Sequence, residues 1–536
     1  MLLSVVYWAL RFLLGDEPCP QWDAVYPQSN ARLDAHLENV YASQDFKLRT
    51  YDTLSGAIRI PTESHDDSGP VGEDPVWDAF ADFHEYLERA FPLIYARLDV
   101  TKLNTYGLVY HWQGSSPGAK PILLAAHQDV VPVDPSTISQ WKHHPYSGYY
   151  DGTWIWGRGT CDDKSELIER LVTIDSLLKH GFSPSRTIIL AFGFDEEAKG
   201  EEGAGHIAKY LEEAYGRNGF ALILDEGEPI VNFGNGLYWA SPALSEKGYM
   251  DVRVEVLSPG GHSSLPPAHT SIGLLAHAIS AIEANPHKPQ LLRNGTPFTT
   301  VQCLAEHSPL FPDELRSLAR KAVKDDSALE KLTAALAKLS PLMKAIMTTT
   351  QAVDVIEGGV KVNALPERAS AIINHRIAEH SSVAELQQYI INVLSPVAAT
   401  HDLTLKAFGQ TIFTGSNGEL VLSDAYGTAL EPSPVTPAGY GPYSILGGTV
   451  KAAMKTSKLY KSTGVIVAPS LLFGVVLDTM QYWNLTKHIF RFAFVTEADY
   501  YNGIHTVNEA IRAEAVIEGI RFLTKFILNV DESHLS

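Results

Sequence analysis

Five short segments of this 536-residue chain end in metal-type ligands, and four of them follow apolar runs that read as buried strands. They are Ile122-Leu-Leu-Ala-Ala-His127-Gln-Asp129, Trp156-Gly-Arg-Gly-Thr-Cys-Asp162-Asp163-Lys164, Thr187-Ile-Ile-Leu-Ala-Phe-Gly-Phe-Asp-Glu196-Glu197, Ala221-Leu-Ile-Leu-Asp225 and Ile504-His505. In an open α/β sheet, ligands bind outside the carboxyl ends of the strands, at the switch point of the strand order. Two imidazoles and several carboxylates gathered there are what a two-metal hydrolytic site requires.

Strand-like runs at 105–112, 121–126, 187–194 and 221–225 alternate with helical stretches at 163–180 and 203–214. That alternation predicts an α/β fold with a mainly parallel sheet. Helix 163–180 is the best marked, with Leu167, Ile168, Leu171, Val172, Leu177 and Leu178 in one stripe and Gly181 at its stop. Residues 76–97 also have helical periodicity, carrying Phe80, Phe83, Tyr86, Leu87 and Phe91 on one side. The texture changes near 246. An alternating run at 248–257, a Gly-Gly turn, a helix at 270–284, another alternating run at 369–377 and a helix at 382–394 predict a compact inserted α+β unit. The charged stretch 310–348 between them reads as helical. The expected division is an apolar segment 1–20, a first part of the larger domain at 21–245, an insert at 246–411 and a second part at 412–536.

A formal charge of −20 argues against nucleic acid or an anionic membrane as partner. Cys19, Cys161 and Cys303 are too few for a disulfide framework and leave room for one bridge. The apolar stretch Met1–Leu14 is shorter than the roughly 20 residues of a spanning helix and reads as a signal core or the remnant of an anchor. The sequons at Asn294 and Asn484 are compatible with a lumenal, glycosylated protein.

His127 and Asp129 are two apart on an extended strand and share a face, so Asp129 is placed to orient the imidazole. Asp162 and Asp163 open the long helix. Either could cap it, and either could bridge two cations. Glu196 and Glu197 are adjacent and point to opposite sides, so one can ligate while the other serves as general base. Asp225 ends an apolar strand. Oxygen and nitrogen donors without a thiolate favour zinc, with cobalt or manganese as alternatives.

These five ordered motifs resemble the co-catalytic di-zinc exopeptidase family of carboxypeptidase S and aminoacylase, over about residues 40 to 525. The segments 156–164 and Tyr482-Trp-Asn-Leu-Thr-Lys-His-Ile-Phe-Arg-Phe492 resemble its fungal vacuolar carboxypeptidase S branch. The resemblance implies a mainly parallel-sheet catalytic domain with an inserted ferredoxin-like lid that mediates dimers. It implies two zinc ions per subunit, one on His127 and Asp225, the other on Glu197 and His505, with Asp162 bridging. Glu196 would be the general base, and Asp129 would orient His127. Gly260-Gly261-His262 resembles the lid motif whose histidine stabilises the oxyanion. Asn363 through Arg376 resembles the segment whose arginine clamps the substrate carboxylate, a task suited to a guanidinium. The family loop Gly-Asn-Thr-Asp-Thr is replaced here by Gly474-Val-Val-Leu-Asp478-Thr479.

The expected activity is therefore a metallocarboxypeptidase that hydrolyses the last bond of short peptides, in a vacuole or outside the cell. An N-acyl-amino-acid amidohydrolase is the rival with the same chemistry, and a non-catalytic homologue the rival from another class.

Overall fold

A computed structural model describes residues 19–472, 474 and 478–535. The expected N-terminal apolar segment therefore lies almost wholly outside the described residues. No described helix is long and apolar enough to cross a membrane.

The centre of the molecule is a ten-stranded sheet. Four of its strands, in spatial order Ile188–Gly193, Ile122–His127, Leu222–Asn232 and Ile489–Thr496, run parallel. Both faces of this core are covered. Ile122, Leu124 and Ala126 pack with Leu167, Ile168 and Leu171 of helix Lys164–Lys179, while Leu123 and Ala125 pack with Ile207 and Leu211 of helix His206–Tyr215. A strand buried on both faces can be apolar at every position, hence the continuous runs in the sequence. The C-terminal helix Ala513–Asp531 joins the first of these layers.

Strand Ile122–His127 has the later strands Ile188–Gly193 and Leu222–Asn232 on its two sides. The chain thus winds first one way and then the other from it, and the switch point falls beside His127. The helical stretch expected over 76–97 is two helices, Asp78–Ala90 and Pro92–Arg97, because Pro92 supplies no N–H to continue the first.

A second, six-stranded sheet has the order Thr350–Gly358, Arg368–Ile377, Gly248–Leu257, Glu419–Asp424, Thr404–Ala407 and Gln410–Phe413. Helices Ser271–Ala284 and Val383–Thr400 share its core. Strand Glu419–Asp424 belongs to this sheet although it follows the expected junction at 411, because Leu420 and Leu422 face the same core. A bundle of short helices, Thr296–His307, Asp313–Ala322, Asp326–Leu339 and Pro341–Ile346, has its own core. Cys303 in the first of these helices forms a disulfide with Cys19.

Candidate metal centre

His127 is the last residue of its strand and is fully buried. Its Nδ1 lies 3.2 Å from Oδ1 of Asp129. Its Nε2 faces Asp162 Oδ1 at 3.0 Å, Glu226 Oε1 at 3.4 Å and Glu196 Oε2 at 4.0 Å. An imidazole that donates through Nδ1 to Asp129 has only a lone pair at Nε2, and that lone pair points at three carboxylates. A cation must sit between them, or else a proton. Although burial works to lower its pKa, Glu226, Asp129 and Asp162 together push that of His127 well above the ordinary imidazole range.

His505 forms the other pole. Its Nε2 is 3.1 Å from Asp162 Oδ2 and 3.1 Å from Glu197 Oε1. Hydrogen bonds to Asp162 and Glu197 raise its pKa to about 10. Asp162 thus reaches one imidazole with each oxygen, the geometry of a bridging ligand. Two sets of donors converge within metal-binding reach, His127 with Asp163 and Glu226, and His127 with Asp162 and Glu197.

The chemistry of this donor set fits divalent cations. The carboxylates outnumber the imidazoles and are deeply buried, which raises the pKa of Glu196, Glu197 and Glu226. Asp163 Oδ1, Glu196 Oε1 and Asp225 Oδ2 have no hydrogen-bond partner among the described residues. Buried carboxylates of this number need compensating charge.

The supporting contacts explain why the cluster holds together. Asp129 Oδ1 accepts from the backbone N–H of Glu196, and Oδ2 accepts from Glu197 N–H and from the Ser64 hydroxyl. One carboxylate therefore fixes both His127 and the turn bearing the two glutamates. Glu509 accepts from the N–H groups of Gly159 and Cys161 and pairs with Arg158, which fixes the turn leading to Asp162.

A cavity of about 810 Å³ opens beside the cluster. Glu196 and Glu197 line it from the first sheet; Arg376, Tyr249 and Asn374 line it from the second. The Arg376 guanidinium lies 5.6 Å from the centre of the Tyr249 ring.

The Peptidase family M20/M25/M40 model matches residues 123–529. The chain belongs to that family. Among M20 relatives, carboxypeptidase S of Saccharomyces cerevisiae is 38% identical over 97% of this chain and 90% of its own. The human N-fatty-acyl-amino acid synthase/hydrolase PM20D1 is 31% identical over 91% of this chain and 89% of its own. A solved M20 metallo-carboxypeptidase of Sulfolobus solfataricus has the same fold, with a TM-score of 0.57 and 19% identity over 90% of this chain and 99% of its own. As an M20 member, this is a metal-dependent peptidase on the fungal carboxypeptidase S branch.

Within this M20 centre Glu226, the chain neighbour of the expected ligand Asp225, faces His127 with its Oε1. The pairing with strand Ile489–Thr496 slips from Arg491 opposite Asp225 to Phe492 opposite Glu228, so Glu226 and Gly227 form a bulge. The bulge breaks the alternation and turns Glu226 toward His127, while Asp225 Oδ1 accepts from the Glu226 N–H. A Cβ on Gly227 would fall 2.2 Å from the Arg491 backbone, so glycine is required there. A glycine inside an apolar strand was the available signal. Ser64 and Glu509 had none, because their partners are distant in sequence.

His262 and Asn363 are exposed on the small ladder of Gly261–His262 with Ala364–Leu365 and do not line the cavity of their own chain. Gly474 and Asp478 do line it, whereas Val475, Val476 and Leu477 lie outside the described residues. Burial and the neighbouring Asp195 push the Asp478 carboxyl well above its ordinary range.

Proposed function

We propose that this protein is a di-zinc carboxypeptidase that removes the C-terminal residue of short peptides. His127 and Glu226 would hold one zinc, His505 and Glu197 the other, with Asp162 between them. Zinc, when bound, acidifies water and polarises a carbonyl oxygen. The observation that carries the reading is the position of Glu196. In the wall of the cavity its Oε2 lies 4.0 Å from Nε2 of His127, while its Oε1 is buried and unbonded among the described residues. Glu196 then takes a proton from the attacking water on this oxygen and delivers it to the departing amine. Burial, which raises its pKa, suits it to hold that proton between the two steps. Asp129 keeps the His127 ring in one orientation throughout. Arg376 faces the same cavity and offers a fork of donors to the substrate carboxylate.

Hydrolysis of N-fatty-acyl amino acids is the second reading, favoured by the 31% identity to the human PM20D1 enzyme. Both substrates end in an amino-acid carboxylate, so Arg376 serves either. Turnover of an N-blocked dipeptide, its C-terminal amide and an N-fatty-acyl amino acid separates them. The dipeptide should be cleaved and its amide should not. Cleavage of the N-fatty-acyl amino acid alone would overturn the peptidase reading.

Three further features belong to this proposal. The insert carrying Arg376 runs from Gly248 to about residue 430, where Leu430 bonds to Tyr249. The edge strand Thr350–Gly358 carries exposed Val355 and Ile356, which suits pairing of two copies along this edge. A lumenal or extracellular location agrees with the disulfide.

A further inference from the structure

Three histidines from three separate elements meet on the second domain, away from the metal centre. His269 precedes helix Ser271–Ala284, His277 lies within that helix, and His401 follows helix Val383–Thr400. Their ring centroids are 5.0 Å apart for His269 and His277, 5.0 Å for His269 and His401, and 4.8 Å for His277 and His401. We propose that His269, His277 and His401 form a surface site for a divalent transition-metal ion of the zinc, copper or nickel class.

The geometry of the pair His277–His401 is already that of two ligands. Nδ1 of His277 and Nε2 of His401 are 3.3 Å apart. Two imidazole nitrogens each about 2.0–2.1 Å from one tetrahedral ion are separated by about that distance. Packing of Leu274, Leu275 and Ala278 against Leu394 and Ala398 fixes the two helices that carry them. His269 is exposed and makes no hydrogen bond among the described residues, so a turn of its ring completes a three-nitrogen set. Solvent supplies the fourth ligand, since His277 is exposed and His401 only half-buried.

Electrostatics favours a metal over protons here. Burial, together with the charges of His277 and His269, lowers the pKa of His401. Neutral imidazole is the form that binds a metal. Imidazole donors without carboxylates suit zinc, copper and nickel rather than magnesium or calcium.

The site has a mechanical consequence. His269 ends the loop that begins at Gly260-Gly261-His262, so an ion shared with His401 would tie this loop to the end of helix Val383–Thr400. None of the three histidines touches the residues of the catalytic centre.

The test uses the full chain with its catalytic metals in place, and Zn²⁺ alone as the probe. Equilibrium dialysis at micromolar free Zn²⁺ followed by elemental analysis should give one more zinc per chain for the wild type than for His277→Gln. The melting temperature should rise with added Zn²⁺ in the wild type and stay flat in both His277→Gln and the triple variant H269Q/H277Q/H401Q. Peptide turnover in His277→Gln should match the wild type, which separates this ion from the catalytic pair. Equal zinc content, or an equal thermal response in wild type and variants, would overturn the proposal.

Discussion

The Oε1 of Glu226 lies 3.4 Å from Nε2 of His127, while the chain neighbour Asp225 gives its Oδ1 to the N–H of Glu226 itself. Two adjacent acids thus make different contacts, divided by a bulge. Glu226→Gln should lower the bound zinc from about two ions toward one and remove peptide turnover. Asp225→Asn should keep both ions. Elemental analysis of the two purified variants checks this, and zinc lost from the Asp225 variant alone would return that role to Asp225.

Asp129 joins His127 to the turn bearing Glu196 and Glu197 through three hydrogen bonds. Removing its charge should weaken metal binding by about 10- to 100-fold, the usual effect of disturbing a carboxylate behind a ligating histidine. Titration of apo Asp129→Asn with Zn²⁺, followed by activity, should show recovery only at raised metal concentration.

His84 is buried, and its Nε2 meets Oε1 of Gln128, the residue after His127. Burial, with Lys102 nearby, lowers its pKa to about 4. The unfolded chain takes up this proton near pH 6.5, the folded one only near 4. Stability from this group is therefore complete above pH 6.5 and is lost as pH falls toward 4, by about 3 kcal/mol at most. Urea unfolding of wild type and His84→Gln across this range should give a shallower pH dependence for the variant.

Cys19 and Cys303 are 284 residues apart in sequence and join the first described residue to the helical bundle. Loss of such a bridge costs about 2–5 kcal/mol in small secreted domains, an upper guide for this larger protein. Dithiothreitol should lower the melting temperature of the wild type and leave Cys303→Ser unchanged. The buried Cys161 should not contribute to the difference.

Much of this centre was legible in the sequence because parallel strands end where their apolar runs end. His127, Glu196 and Glu197 were found by that rule, and the switch point beside His127 explains their convergence. His505 carries no such mark. It sits in a loop with φ of 58°, and its role as a ligand comes from the family resemblance. Asp225 ends the apolar run and marks the strand end, whereas the orientation of Glu226 depends on a bulge set by the neighbouring strand Ile489–Thr496. The strand Glu419–Asp424 was missed for a similar reason, since its pairing with Gly248–Leu257 is long-range and local texture does not show it.

Metal content and turnover measured together on Glu196→Gln test the central claim most directly. A di-metal centre with Glu196 as its base predicts about two zinc ions retained and kcat reduced by roughly 10²–10⁴-fold on a blocked dipeptide. Full activity in this variant would contradict the assignment.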